Sequence, residues 1–397
     1  MPIHEADRMR RLPLYLFTII DKLKEEASAK GLDVIDLGMG NPDMPTPKHI
    51  VNELCKQAKV TENQRYSRPG GEAEKILKKA ISDWYKGRFG VILNPETEVL
   101  PLIGSKEGVA HLSLAFLNND DVALVPSPAY PVHFNGVIMA GGILNSIPMT
   151  AEDDFKPDLW SLSDELISKT KLLFLSYPHN PTTAVADMDF LKRVVDWAKG
   201  KDIIIAYDLT YSDIVFDGYR APSILEIEGA KELNLIEFHT LSKSYNMAGW
   251  RIGIAVGNAK VLASLAKTKT YIDFGIFRAV QLAAAKALSG PQDCVKKMVQ
   301  IYKKRRDVLV DGLNKIGWEI PKPKATFYVW ARMPLKFRTL TSMEFASLMV
   351  KEIGVVVAPG IGFGERGEGY VRFALVENEK RLKETVKRIE KFLQTKD

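Results

Sequence analysis

Lys243 stands in the stretch T-L-S-K-S-Y-N-M-A-G-W-R-I-G, among small polar residues just past an apolar run, with Arg251 eight positions further on. A lysine amine so placed can join a carbonyl carbon as an imine and afterwards act as a base. An arginine offers a fixed fork of donors to phosphate or carboxylate. An isolated lysine of this kind reads as a solvated loop residue, so its companions decide. Ser105 and Lys106 open a helix in G-S-K-E-G, Tyr130 precedes Pro131, and Asn180 lies in H-N-P-T. Asp208 closes the apolar run I-I-I-A-Y-D, Tyr211 follows one turn on, and Thr240 and Ser242 lead into the lysine. Taken singly, Ser105 can cap its helix, Asn180-Pro181 can mark a turn, and Asp208 can cap the next segment.

These residues share one property: they follow apolar runs. Candidate strands are Glu98–Gly104, Asp121–Pro126, Gly142–Pro148, Lys171–Tyr177, Asp202–Asp208, Leu235–Leu241 and Arg251–Gly257. Several are nearly continuous in Ile, Leu and Val, as strands covered on both faces are, and helical stretches such as Leu191–Lys199 lie between most of them. The pattern predicts an α/β fold, a large domain (36–290) with a mainly parallel sheet of about seven strands covered by helices on both sides. Beyond about Pro291 a long charged helix, shorter strands (Thr326–Ala331, Gly354–Ala358, Tyr370–Leu375) and a Lys/Glu-rich last helix predict a smaller α+β domain (291–397), joined by an N-terminal arm (1–35). In an open α/β sheet, ligands bind outside the carboxyl ends of the strands. Five of the seven strand ends carry hydrogen-bonding or ionisable groups that fall on one rim.

Bulk composition sets the frame. The 397 residues are 46% apolar and 26% charged, ordinary for a globular chain and long enough for two domains. A net charge of +6 arises from 55 basic and 49 acidic residues spread along the chain, without the basic block expected of a nucleic-acid binder. Cys55 and Cys294 are far apart, which predicts neither a disulfide scaffold nor a structural zinc site and fits a cytoplasmic protein. Arg8–Arg11 followed by L-P-L-Y-L-F-T-I-I imitates a signal peptide. Pro13 and the charged D-K-L-K-E-E break that run, while Leu16, Ile19, Ile20 and Leu23 keep helical spacing, and no run approaches a membrane span.

The rim residues suit one kind of ligand. A helix N-terminus at Ser105, with Arg251 beside it, suits a phosphate. Tyr130 offers a face to a flat ring, Asp208 can keep a ring nitrogen protonated, Asn180 and Tyr211 can bond a ring hydroxyl, and Lys243 can capture an aldehyde. Together these requirements describe pyridoxal 5′-phosphate. Seven ordered segments, D-L-G-M-G-N-P-D, Y-S-R-P-G-G, G-S-K-E-G, S-Y-P-H-N-P-T, Y-D-L-T-Y-S-D, T-L-S-K-S-Y-N-M-A-G-W-R-I-G and G-Y-V-R-F-A-L-V-E-N, then show that the chain resembles the fold-type I, class I/II pyridoxal-phosphate aminotransferases over nearly its whole length.

That resemblance implies a catalytic set of Lys243, Asp208 and Tyr130, and a cofactor cradle that adds Ser105, Lys106, Asn180, Tyr211, Thr240, Ser242 and Arg251. It implies a homodimer in which Tyr66 reaches in from the second subunit. Arg372 would clamp the substrate α-carboxylate with the backbone near Gly40 and with Asn180, and Tyr15, Arg68 and Arg278 are candidates to read a substrate side chain. Two departures from the family pattern occur, Thr183 where glycine is common and E-A-E after Y-S-R-P-G-G. The implied activity is ping-pong transfer of an amino group between an L-amino acid and a 2-oxo acid. Within the family the segments are most similar to bacterial glutamate–pyruvate (alanine) transaminases, and aspartate and LL-diaminopimelate aminotransferases share most of them. A β-lyase on the same scaffold is a rival reading. A DNA-binding regulator would need more than the 35 residues that precede D-L-G-M-G.

Overall fold

The computed structural model describes residues 3–13 and 16–394. A short strand β1 (Ile35–Asp36) precedes seven strands that form one sheet: β2 (Val99–Leu102), β3 (Val122–Ser127), β4 (Ile143–Pro148), β5 (Thr170–Ser176), β6 (Ile204–Asp208), β7 (Leu235–Thr240) and β8 (Gly253–Gly257). Their spatial order is β2-β8-β7-β6-β5-β3-β4, and β8 alone runs antiparallel to its neighbours. Each apolar run of the sequence is thus a strand, and the sheet is the expected mainly parallel one.

Alternation explains why these runs are apolar throughout. Leu173 and Leu175 of β5 enter the core on one face of the sheet, while Leu172 and Phe174 enter the core on the other. Val122 and Leu124 of β3 are likewise separated from Ala123 and Val125. With successive side chains on opposite faces, a strand covered twice has no place for polar residues. The covering helices carry the complementary stripe. Met188–Ala198, capped by the Asp187 carboxylate on the Phe190 N–H, buries Leu191, Val194, Val195 and Ala198.

A second core gathers the last third of the chain. The helix Asp293–Lys315 packs with the helix Glu379–Gln394 and with an antiparallel sheet of order β11 (Ala358–Pro359), β12 (Tyr370–Ala374) and β9 (Tyr328–Arg332). β1 pairs in parallel with β10 (Val355–Val356), so the first strand of the chain is completed by one of the last. Ile20, Ala27, Ile35 and Leu37 join this same core. The helix Leu16–Ala29 turns Ile20 and Leu23 inward, while Ile19 is exposed, narrower than the apolar stripe expected of it. Among the described residues no helix is long and apolar enough to cross a membrane.

Candidate active site

The carboxyl ends of β2, β3, β5, β6 and β7 open on one rim, and β8, running the other way, begins there. The antiparallel turn-back of β8 therefore brings Arg251, just ahead of Gly253, beside Thr240 at the end of β7. A cavity of about 250 Å³ lies at this rim, with Ser105, Lys106, Tyr130, Asn180, Asp208, Tyr211, Thr240, Ser242, Lys243, Arg251 and Arg372 in its wall, and Gly40 on the side of the small core.

The anion end is built from backbone in close contact. The helix Ser105–Phe116 starts after Gly104, which has φ 77° and gives no side-chain cap, so Ser105 is the first helical residue and not its cap. A Cβ on Gly253 would lie 2.4 Å from the Ser105 nitrogen, and a Cβ on Gly104 would lie 2.3 Å from Arg251 Nη2. Only glycines let the β8 backbone and the Arg251 guanidinium meet this helix end. Arg251 itself takes the left-handed conformation, φ 53°, which turns its side chain back toward Gly104 while Nη1 donates to the Ala248 carbonyl at 2.8 Å. Thr240 Oγ1 accepts from the Ser242 N–H at 3.2 Å and sets the short turn that carries Lys243. Helix-start N–H groups, hydroxyls and a guanidinium converge here, which is the donor set a phosphate needs.

Lys243 Nζ reaches the Gly40 carbonyl oxygen at 3.1 Å and lies 5.1 Å from the Phe327 ring centre. Burial, reinforced by the positive charges of Arg372 and Arg251, lowers its pKa from 10.5 to about 7. An amine with this proton affinity is neutral often enough near pH 7 to attack a carbonyl. Asp208 faces the cavity with one carboxylate oxygen held by the Thr210 N–H at 3.2 Å and by the Thr210 hydroxyl, and the other 3.3 Å from His133 Nε2. The capping contact expected of an isolated aspartate is present, yet the carboxylate remains in the cavity wall.

Arg372, on β12, is 3% exposed, which rules out a solvent-facing strand arginine. Nη1 donates to Asn180 Oδ1 at 2.7 Å and Nη2 to the Gly38 carbonyl at 2.9 Å, and the guanidinium lies 4.0 and 4.6 Å from the Tyr328 and Phe363 ring centres. The carbonyl it meets belongs to Gly38. Gly40 instead receives Lys243 and leaves room for Tyr328, whose hydroxyl would sit 1.9 Å from a Cβ there.

Other expected residues lie elsewhere. Tyr66 is 83% exposed and packs edge-on against Phe274, outside the cavity of its own chain. Arg278 donates to the Glu62 and Tyr66 carbonyls at 2.6 and 2.7 Å, so it shapes the Tyr66 segment and does not face the cavity. Arg68 is exposed and absent from the cavity wall, and Tyr15 lies outside the described residues. Thr183 has φ 62°, the left-handed conformation for which glycine is the usual choice. In E-A-E, Glu74 accepts the Gly70 N–H at 3.1 Å and opens the helix Glu72–Phe89.

Three residues were not anticipated. Tyr328 lies in the wall, bonds the Tyr211 hydroxyl through its own at 3.2 Å and supports Arg372. His133 backs Asp208, and His179, one residue before Asn180, is held by Thr182 Oγ1 at 2.7 Å with burial lowering its pKa to about 3, so it is neutral. The only signal for His133 was its place one turn beyond Tyr130. Tyr328 sat in an apolar strand that gave no sign of chemistry.

Known proteins resemble this chain along nearly its full length. The family described as "Aminotransferase class I and II" matches residues 32–389. An LL-diaminopimelate aminotransferase of Moorella thermoacetica is 46% identical over 391 residues, 98% of this chain and 99% of that protein. The glutamate-pyruvate aminotransferase AlaC of Escherichia coli is 45% identical over 388 residues, 98% of this chain and 93% of that protein. Substrate-bound BacF of Bacillus subtilis superposes with a TM-score of 0.93 at 37% identity, covering 99% of this chain and 98% of the other. Identities of 46% and 45% do not separate the first two specificities, so similarity alone does not single out the alanine enzymes.

Proposed function

The chain belongs to the class I and II aminotransferases, which use pyridoxal phosphate, and from that premise we propose that it exchanges the α-amino group between alanine or glutamate and pyruvate or 2-oxoglutarate. The observation that carries the reading is one cavity uniting an amine lowered to about 7, a backed carboxylate and a buried, paired arginine.

The donor set fits the cofactor. Ser105, Thr240, Ser242, Arg251 and the N–H groups of the helix at Ser105 would hold its phosphate. Lys106, whose ammonium lies 5.8 Å from the Tyr130 ring centre, would frame the ring with that tyrosine. Asp208 would face the ring nitrogen, Asn180 and Tyr211 the ring oxygen, and Lys243 the aldehyde. When bound, the group supplies an electron-accepting ring joined to the substrate nitrogen.

This chain's residues do the rest. Arg372 takes the α-carboxylate in a forked pair, and its orientation is fixed beforehand by Asn180, Gly38 and Tyr328. The Lys243 amine would take the proton from the substrate α-carbon and deliver it to the cofactor carbon that bears the substrate nitrogen. A positioned base of matched pKa contributes about 10²–10⁴-fold in rate. Asp208 would face a protonated ring nitrogen, and His133, with Nε2 3.3 Å from the carboxylate, packs behind it.

Glutamate requires a cation for its distal carboxylate. Arg251, Arg372 and Lys243 have other tasks, and among the described residues of the cavity wall the remaining cation, exposed Lys106, would meet this carboxylate from its place beside the Tyr130 ring. The same lysine would serve LL-diaminopimelate, and the 46% identity to an enzyme of that name supports this second reading. Tyr66, turned away from its own cavity, supports a homodimer in which each protomer completes the other's site.

Borohydride treatment of cofactor-loaded protein should leave a permanent adduct on the peptide containing Lys243, and protein that takes up no cofactor would refute the reading. Alanine, glutamate and LL-diaminopimelate are then offered separately, without a 2-oxo acid, and transfer to the cofactor is followed by absorbance. Turnover of LL-diaminopimelate with alanine inert would replace the first specificity by the second.

A further inference from the structure

Lys269 is a buried cation with no part in the chemistry above. It is 7% exposed, and its ammonium lies 3.0 Å from Glu107 Oε2 and 3.2 and 2.9 Å from the two Asp273 carboxylate oxygens. Glu107, His111 and Asp273 bring ligand atoms of a metal-binding type within 4.8 Å of one another. The ammonium already bridges the two carboxylates, so the cluster reads as a lysine-centred bridge.

The two ends of this bridge lie on functional segments. Glu107 is the third residue of the helix that begins at Ser105, and its Oε2 also accepts the Ile103 N–H at 3.0 Å, tying down the turn that forms the anion cradle. Asp273 ends the helix Ala259–Ile272 and begins the turn that supports Tyr66. Phe274 packs edge-on against Tyr66 at 5.8 Å, and a Cβ on Gly275 would be 2.6 Å from the Ser67 carbonyl oxygen. Gln281 clasps the same segment by donating to Ser67 Oγ at 2.8 Å and to the Ile276 carbonyl at 2.7 Å. Ser67, Lys269, Phe274 and Gln281 surround a second cavity of about 160 Å³.

We propose that Lys269 is a positioning residue that locks the Tyr66 segment to the anion cradle of its own protomer, and thereby couples cofactor binding in the two sites of a dimer. This rests on the reading of Tyr66 as a residue that serves the partner's site. Within one chain the path is continuous: cradle turn, Glu107, Lys269, Asp273, Phe274, Tyr66. A shift at either end requires a half-buried carboxylate to leave the buried ammonium, which is costly because an uncompensated charge would remain.

The test is a double-mutant cycle read as the dissociation constant of pyridoxal phosphate. Lys269→Met should weaken binding about tenfold, Lys269→Arg should restore most of it, and Lys269→Met in a Tyr66→Phe background should add little. Asp273→Asn leaves the Lys269–Glu107 pair in place and should reproduce the loss if the methionine variant does not fold. In hybrid dimers, one protomer carries Lys243→Ala and Lys269→Met, and its partner is otherwise native. Cofactor affinity at the Lys243-bearing site should fall. Additive losses, unchanged affinity, or a native site unaffected in the hybrid would overturn the inference. If Tyr66→Phe alone leaves affinity intact, the reading of Tyr66 fails, which is distinguishable from a failure at Lys269.

Discussion

The Arg372 guanidinium rests on the ring of Tyr328, 4.0 Å from its centre, while the Tyr328 hydroxyl meets the Tyr211 hydroxyl at 3.2 Å. One side chain thus touches both the arginine assigned to the substrate carboxylate and the tyrosine assigned to the cofactor. Tyr328→Phe keeps the ring and should leave KM nearly unchanged. Tyr328→Ala removes a contact worth about 0.5–2 kcal/mol and should raise KM for the amino acid about 2- to 30-fold, with a smaller loss of cofactor affinity through Tyr211. Steady-state kinetics beside a cofactor titration checks the split.

Arg372→Lys should be worse than its charge suggests, because a point charge cannot bond Asn180, Gly38 and a carboxylate in one plane. A fall in kcat/KM of about 10²-fold or more corresponds to losing a forked, charge-assisted pair. Equal kcat/KM for the two proteins, measured with any accepted amino acid, would remove Arg372 from the site.

Among the described residues Asp208 is the only carboxylate in the cavity wall; Thr210 holds one of its oxygens and His133 Nε2 lies 3.3 Å from the other. Asp208→Ala should lose both turnover and cofactor retention, since truncating one member of a buried charge pair costs about 2–5 kcal/mol. Cofactor release on gel filtration reports the second effect independently of the first.

The pKa of about 7 at Lys243 has a signed consequence for the cofactor-free protein. Between about 7 and the ordinary 10.5 the unfolded chain binds a proton that the folded chain lacks, so this group makes stability rise with pH across that window. Below 7 both states are protonated and the slope from this group vanishes. Urea unfolding from about pH 6 to about pH 9 should show wild type gaining on Lys243→Met as pH rises, and a constant difference would refute the lowered pKa.

Gly253→Ala would place a methyl 2.4 Å from the Ser105 nitrogen. The strand–helix contact must open, and cofactor affinity should fall more than tenfold, with a lower melting temperature. Gly249→Ala, with nothing within 4 Å of its added carbon, is the control and should bind normally.

Much of this was legible because strand ends in an α/β sheet are a shared address. Alternation to two apolar cores made the runs at β5 and β3 visible, and the polar residues that follow them could only lie on the sheet's rim. Local chemistry was also readable: an amine beside hydroxyls at 240–243 and an acid closing I-I-I-A-Y-D.

Residues that act through another element were not legible. His133 matters because its helix crosses behind Asp208, 75 positions away, and Tyr328 because Gly40 has no Cβ to exclude its hydroxyl. Residue type and strand register are local properties, and they set which side chains could meet a phosphate, a ring and an aldehyde. Packing of the two cores set which arginine meets which partner and how far the lysine's charge is suppressed. It also turned Tyr66 away from its own cavity, because distance and burial depend on how the cores pack.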